Sequence, residues 1–225
     1  MKTLLRLPLP VLLLALAQSA FAVDVSTKLG FETKYVTYGT KYSEETWVPM
    51  LDVSQGDYYA GIWGYLPVQP KKSFEGEWDI FAGRTLKMNK VVSFDVGATV
   101  YRYPRTDVDD TTLEGFFWVN LAAPLSPKLK LYYDFTVNNW IGEIMISHPF
   151  KFNKTTSLVL EGHGGFRRPE YHEAWYYGTV KADVVYAFSE KTTLAAGLRS
   201  TNNTDHAAVG HAVENWFGIT LSHSW

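Results

Sequence analysis

Apolar and polar residues alternate along most of this chain with a period of two. Val25, Thr27, Leu29, Phe31, Thr33 and Tyr35 share one face of an extended segment, and Ser26, Lys28, Gly30, Glu32 and Lys34 share the other. Val92, Phe94, Val96, Ala98 and Val100 alternate in the same way with Ser93, Asp95, Gly97, Thr99 and Tyr101. Leu129, Leu131, Tyr133, Phe135 and Val137 do so with Lys130, Tyr132, Asp134 and Thr136. The chain ends on the same rhythm, with Phe217, Ile219, Leu221, His223 and Trp225 against Trp216, Gly218, Thr220, Ser222 and Ser224. A repeat of two places successive side chains on opposite faces of a β-strand. No 3.6-residue stripe of comparable length competes with it.

Run length and face chemistry narrow the fold class. Soluble strands average about 5–6 residues, whereas a tilted strand that crosses a bilayer needs about 9–11. The runs here are of the longer kind. One face is nearly free of charge, and the other carries carboxylates, amines and glycines. Apolar-out and polar-in is the pattern of a closed barrel in lipid. Closure is required there, because an open edge leaves backbone groups unpaired in hydrocarbon. Twelve runs are predicted, near 23–37, 47–55, 57–66, 75–85, 91–103, 112–122, 128–137, 140–150, 155–166, 174–187, 192–202 and 213–225. The expected fold is therefore all-β: an antiparallel transmembrane β-barrel of about 12 strands.

The connections alternate in length, which orients the barrel. Short links at 86–90, 123–127, 151–154 and 188–191 suit the periplasmic side. Longer polar links at 37–46, 67–74, 104–111, 167–173 and 203–212 suit the outside. A two-residue link at Asn138-Asn139 departs from this rule, and Pro49 interrupts the second run. Trp47, Trp140, Trp175, Tyr35 and Trp225 fall near strand ends, where aromatic girdles meet the lipid headgroups. Phe217, Leu221 and Trp225 form a C-terminal pattern of the kind that barrel-assembly machinery reads.

Residues 1–22 read as a signal peptide. Lys2 and Arg6 precede an apolar core at 7–17, and Ala20-Phe21-Ala22 supplies small residues at Ala20 and Ala22 for cleavage. The core is shorter than the roughly 20 apolar residues of a spanning helix. The barrel domain is then 23–225.

Composition removes several alternatives. The absence of Cys excludes a disulfide scaffold and thiol chemistry. A formal charge of −2 opposes nucleic-acid binding. Hydrophobic residues at 46% oppose disorder.

Four blocks resemble the TorF family of porins. They are Tyr35-Val36-x-x-Gly39; Tyr58-Tyr59-Ala60-Gly61-Ile62-Trp63-Gly64, similar to "FYAGVWGS"; Glu77-Trp78-Asp79-Ile80-Phe81-Ala82-Gly83, similar to "ELDLYGG"; and Phe94-Asp95-Val96-Gly97 through Tyr101-Arg102-Tyr103-Pro104, similar to "YDVGxxYYxYP". The blocks span residues 30–104, and the second half shares only the strand rhythm. One departure is Thr37-Tyr38, where the family often shows an aromatic residue followed by arginine. The arginine implied near the first hairpin is missing from that place. The resemblance implies an outer-membrane barrel and a pore.

Parity assigns side chains to the lumen. Glu32, Asp52, Glu77, Asp79, Asp95, Glu114, Asp134, Glu143, Glu161, Asp183 and Glu214 face Lys28, Lys34, Lys130, Lys181 and Arg199. Among these, Glu32, Lys34, Glu77, Asp79, Asp95, Glu114, Asp134, Glu143, Glu161 and Arg199 are the candidate selectivity residues. They either pack a narrow barrel as ion pairs or set a negative field in a hydrated path. Tyr101, Tyr103, Tyr132, Trp118 and Trp216 also point inward by parity. The expected function is passive passage of small polar solutes, leaning towards cations, in the bacterial outer membrane, with no cofactor, no metal and no catalytic residue. A closed adhesive barrel with partner-binding outer loops is the alternative. A lipid-modifying enzyme is less favoured, because His148 and His223 face lipid while Ser147, Ser222 and Ser224 beside them face inward. Glu161 and His163 share the lumen face, where a hydrogen-bonded pair is favoured over a metal site or proton relay, and His206 and His211 fall in an outer loop, where a solvated loop is favoured over a weak metal site.

Overall fold

The structure is a computed structural model and describes residues 23–70, 75–104, 111–171, 173–204 and 213–225. The strands are β1 (Asp24–Glu32), β2 (Tyr35–Thr37), β3 (Thr40–Ser43), β4 (Thr46–Gln55), β5 (Tyr58–Pro67), β6 (Glu77–Lys87) and β7 (Val92–Arg102). They continue as β8 (Thr111–Leu121), β9 (Lys128–Asp134), β10 (Asn139–Lys151), β11 (Thr156–Arg168), β12 (Trp175–Ala187), β13 (Thr192–Asn203) and β14 (Val213–Ser224). β1 and β4 through β14 close into one antiparallel barrel of twelve strands, while β2 and β3 form a separate two-stranded sheet. Closure runs through β1, which pairs with β4 on one side and β14 on the other. The Trp225 N–H completes the seam by donating to the Val25 carbonyl at 2.9 Å.

Burial follows the period-two pattern. Leu198, Val180 and Ile80 face outward at 68%, 61% and 60% exposure, while Asp79 and Glu114 face inward at 8% and 4%. Such an inversion, with greasy side chains outside and carboxylates inside, is stable only where lipid is the outer solvent. Among the described residues no helix is long and apolar enough to cross a membrane. Pro49 lacks an N–H, and the β4–β5 ladder skips Val48 and Pro49 before resuming in the same register.

The short links sit at the end that holds Asp24 and Trp225, and three of them share one design. In Met88–Val92, Phe152–Thr156 and Phe188–Thr192, the first residue's N–H donates to the last residue's carbonyl. The side chain at the second position then accepts from the two amides that close the turn. Asn89 accepts from Val91 and Val92, Asn153 from Thr155 and Thr156, and Ser189 from Lys191 and Thr192. Asn and Ser favour turns because their side chains can mimic a backbone acceptor in this way.

The structure corrects four expectations. The first run does not continue as a strand to residue 37; β1 stops at Glu32 and the chain turns into the barrel interior. β9 ends at Asp134 rather than residue 137, because Asp134 Oδ1 accepts from the Thr136 and Val137 amides and caps a turn. Tyr35 and Trp175 are not girdle residues: Tyr35 stacks on Tyr65 at 4.1 Å, and Trp175 is buried with its indole N–H on the Tyr38 carbonyl. Trp47, Trp140 and Trp225 do face outward. The signal segment with Ala20 and Ala22, and His206 and His211, lie outside the described residues.

Candidate functional site in the barrel lumen

The inward hairpin β2–β3 is the feature that shapes the lumen. Its turn is Thr37-Tyr38-Gly39-Thr40, with φ of 50° at Tyr38 and 76° at Gly39. Two consecutive positive φ angles match the right-handed twist of a two-residue hairpin. Glycine adopts this conformation freely, and a Cβ at Gly39 would stand 2.6 Å from the Tyr177 Cβ. The conformation is costly for a bulky Tyr, so the surroundings must hold it. They do so through Trp175 Nε1, 3.1 Å from the Tyr38 carbonyl oxygen, and through the rings of Tyr177 and Tyr132 at 5.9 and 6.4 Å. Asn203 Nδ2 donates to the Gly39 carbonyl at 2.6 Å. At the hairpin base, Lys34 Nζ lies 2.6 Å from Glu214 Oε2, and Lys41 Nζ lies 3.9 Å from its other oxygen.

Arginine does reach this hairpin, from another part of the chain. Arg167, expected in an outer loop, lies in β11 with its side chain inward. Its Nη1 donates to the Tyr42 hydroxyl at 2.6 Å, and its guanidinium lies 5.9 Å from the Tyr38 ring centroid and 5.4 Å from that of Trp175. With the Asn139 amide turned so that its oxygen faces the guanidinium, Nε and Nη2 donate to it at 2.9 and 3.3 Å. Continuing the Glu161–His163 parity by two more steps would have found Arg167 in the sequence.

The remaining predicted residues divide between two walls. On the wall of β9–β14 and β1, charges neutralise one another. Lys130 Nζ donates to Glu143 Oε1 at 2.9 Å, and His163 lies between Glu143 and Glu161 at 3.2 and 2.6 Å. Lys181 reaches Glu161 at 3.0 Å, and Arg199 contacts Glu32 at 3.3 Å and Asp183 at 2.8 Å. Direct cross-strand pairing of Glu143 with Lys130, and of Glu161 with Lys181, builds this ladder.

On the wall of β4–β8, no basic side chain among the described residues lies within ion-pair distance of Asp52, Asp79, Asp95 or Glu114. These four line a cavity of about 990 Å³, where Lys130 is the only basic lining residue among those described. Asp95 accepts from Thr85 Oγ1 and Asn120 Nδ2, and Glu114 accepts from the Tyr101 hydroxyl at 2.7 Å. Neutral donors hold these carboxylates in place without cancelling their charge. A second cavity of about 270 Å³ lies against the hairpin, lined by Tyr35, Tyr42, Glu77, Asp134 and Arg167 among others. Asp134 thus borders the lumen while also capping the turn after β9. Phe217 and Leu221 are exposed on the outer face of β14, and Trp225 follows it, exposed at the chain's end. His148 and His223 belong to the outer parity, and His223 Nδ1 is 2.8 Å from Thr192 Oγ1. Among the described residues no group of three His, Cys, Asp or Glu side chains is arranged to hold a metal ion.

Solved structures that align with this chain include two porins and an outer membrane channel. The KdgM porin aligns with a TM-score of 0.59 at 9% identity, covering 90% of this chain and 99% of KdgM. KdgM is also known in complex with disordered oligogalacturonate. The NanC porin aligns with a TM-score of 0.55 at 9% identity, over 88% of this chain and 98% of NanC. An outer membrane channel from Pseudomonas putida F1 aligns with a TM-score of 0.56 at 9% identity, over 90% of this chain and 95% of that one. At such identity the likeness is one of fold: this chain is folded as an outer-membrane β-barrel. No curated protein matches the sequence. The family model described as "Bacterial protein of unknown function (Gcw_chp)" matches residues 16–167, more than half of the chain, and the chain belongs to that family.

Proposed function

We propose that this protein is an outer-membrane channel through which small polar solutes diffuse passively, with a preference for cations. The observation that carries this reading is the cavity of about 990 Å³ inside the barrel, walled by Asp52, Asp79, Asp95 and Glu114 against Lys130. A twelve-stranded barrel is wider than the filled eight-stranded kind and narrower than open 16-stranded porins. Carboxylates on low-dielectric walls concentrate cations and repel anions. The fold shared with KdgM and NanC, and the TorF-like blocks at 30–104, support a channel. The ligand bound to KdgM does not carry over, since an acidic oligosaccharide would meet like charge on this wall. Passive passage needs no nucleophile, metal or cofactor from the chain. Outer-membrane lipid would contact the apolar belt, and barrel-assembly machinery would read Phe217, Leu221 and Trp225.

The test is reconstitution in a planar bilayer under a salt gradient. Discrete conductance steps with a cation-selective reversal potential are expected. The combined Glu77→Gln, Asp79→Asn and Asp95→Asn variant should move that potential towards zero. The hairpin in the lumen favours one second reading, a closed barrel whose outer loops bind a partner, and silence at every voltage would select it.

A further inference from the structure

Five residues line both lumen cavities: Tyr38, Trp63, Asp79, Tyr101 and Glu114. They form the throat between the hairpin side and the wider cavity. Strand register assembles it, since Asp79 on β6 stands directly opposite Trp63 on β5 and Tyr101 on β7. Tyr38 arrives from the hairpin tip in its positive-φ conformation. Three rings and two carboxylates therefore face one narrow space.

Asp79 is the most deeply held acid of the throat on the β6 side. It is 8% exposed, and its buried Oδ1 has no hydrogen-bond partner. A buried carboxylate oxygen is normally paired. Glu77, two residues away on the same face, brings a second carboxyl group beside it. Two carboxylates in contact cannot both stay charged unless a proton or another cation lies between them. Arg167 borders the same space from the hairpin side, with three of its five N–H donors on Tyr42 and Asn139.

We infer that this throat is a binding site for a small organic ammonium ion. Ring faces attract a cation whose charge is spread over methyl or methylene groups, and the carboxylates neutralise it. An inorganic cation has to shed a tightly held water shell to gain the same contacts. The cavity on the hairpin side, at about 270 Å³, restricts the ligand to a small one. This inference rests on the channel reading only in that solute reaches the throat through the lumen, so its test reads binding and not current.

The experiment is isothermal titration calorimetry of the folded barrel in detergent with tetramethylammonium chloride, and separately with potassium chloride. One saturable tetramethylammonium site is expected, at least tenfold tighter than any potassium site. Asp79→Asn and Trp63→Leu should each weaken it at least tenfold. Folding is checked by the mobility of the unheated barrel on gels, and Glu114→Gln serves if Asp79→Asn fails to fold. No saturable heat from the wild type, equal affinity for potassium, or an unchanged affinity in the folded carboxylate variant would overturn the site. A conducting barrel without this heat keeps the channel and loses the site; a silent barrel with it does the reverse.

Discussion

Asn203 donates from its side-chain amide to the Gly39 carbonyl at 2.6 Å, joining the end of β13 to a hairpin tip 164 residues earlier in the chain. The bond is buried, so its loss leaves an acceptor without a partner, at a cost of about 1–3 kcal/mol. Gly39→Ala strikes the same tip more severely, because its φ of 76° disfavours a side chain and the added Cβ has no room. Neither residue's contact at the tip belongs to the barrel ladder. Both Asn203→Ala and Gly39→Ala should therefore leave a folded barrel with a looser hairpin. Single-channel recording is expected to show larger and noisier steps, by at least twofold for Gly39→Ala. Unchanged step size in both would mean that the hairpin does not restrict the path.

Arg199 is 7% exposed and holds two carboxylates, Glu32 and Asp183. Replacing it by Met leaves both acids facing each other without the counter-charge they share. Breaking a buried ion pair from one side costs about 3–5 kcal/mol. Denaturant unfolding of Arg199→Met in lipid vesicles, followed by tryptophan fluorescence, should show a loss of that order. Arg199→Met combined with Glu32→Gln and Asp183→Asn should recover much of it. A single variant as stable as the wild type would show that the ladder does not hold the wall together.

Val180 stands on the outer face of β12 at 61% exposure. An arginine on a lipid-facing barrel position costs about 2–4 kcal/mol near the bilayer midplane. Val180→Arg should therefore fold less completely into phospholipid vesicles, measured as the fraction of barrel that runs in its compact form on unheated gels. Thr179→Ser, one position away on the lumen face, should fold normally. Equal folding of Val180→Arg and wild type would contradict the assignment of the outer face to lipid.

The number of wall strands, the facing of most side chains on them and the short turns were legible because each depends on neighbours in sequence. A period of two needs no knowledge of partners, and Glu161 and His163 meet because they share a face two residues apart. Arg167 falls in an outer loop only if β11 stops at residue 166, and the strand runs on to Arg168. The hairpin was not legible, since nothing local says that Tyr35 and Tyr38 leave the wall. Their partners Tyr65, Trp175 and Tyr177 come from β5 and β12, and Asn203, which holds the neighbouring Gly39, comes from β13.

The sequence by itself determined a barrel with lipid-facing apolar residues and a charged interior, because solvent on each face selects side chains one strand at a time. Only the tertiary structure decided which of those charges cancel and which remain on an open wall. Cancellation depends on cross-strand register and on a hairpin folded back through the lumen. Both bring together residues far apart in the chain, and their distances are fixed only when the sheet closes on itself.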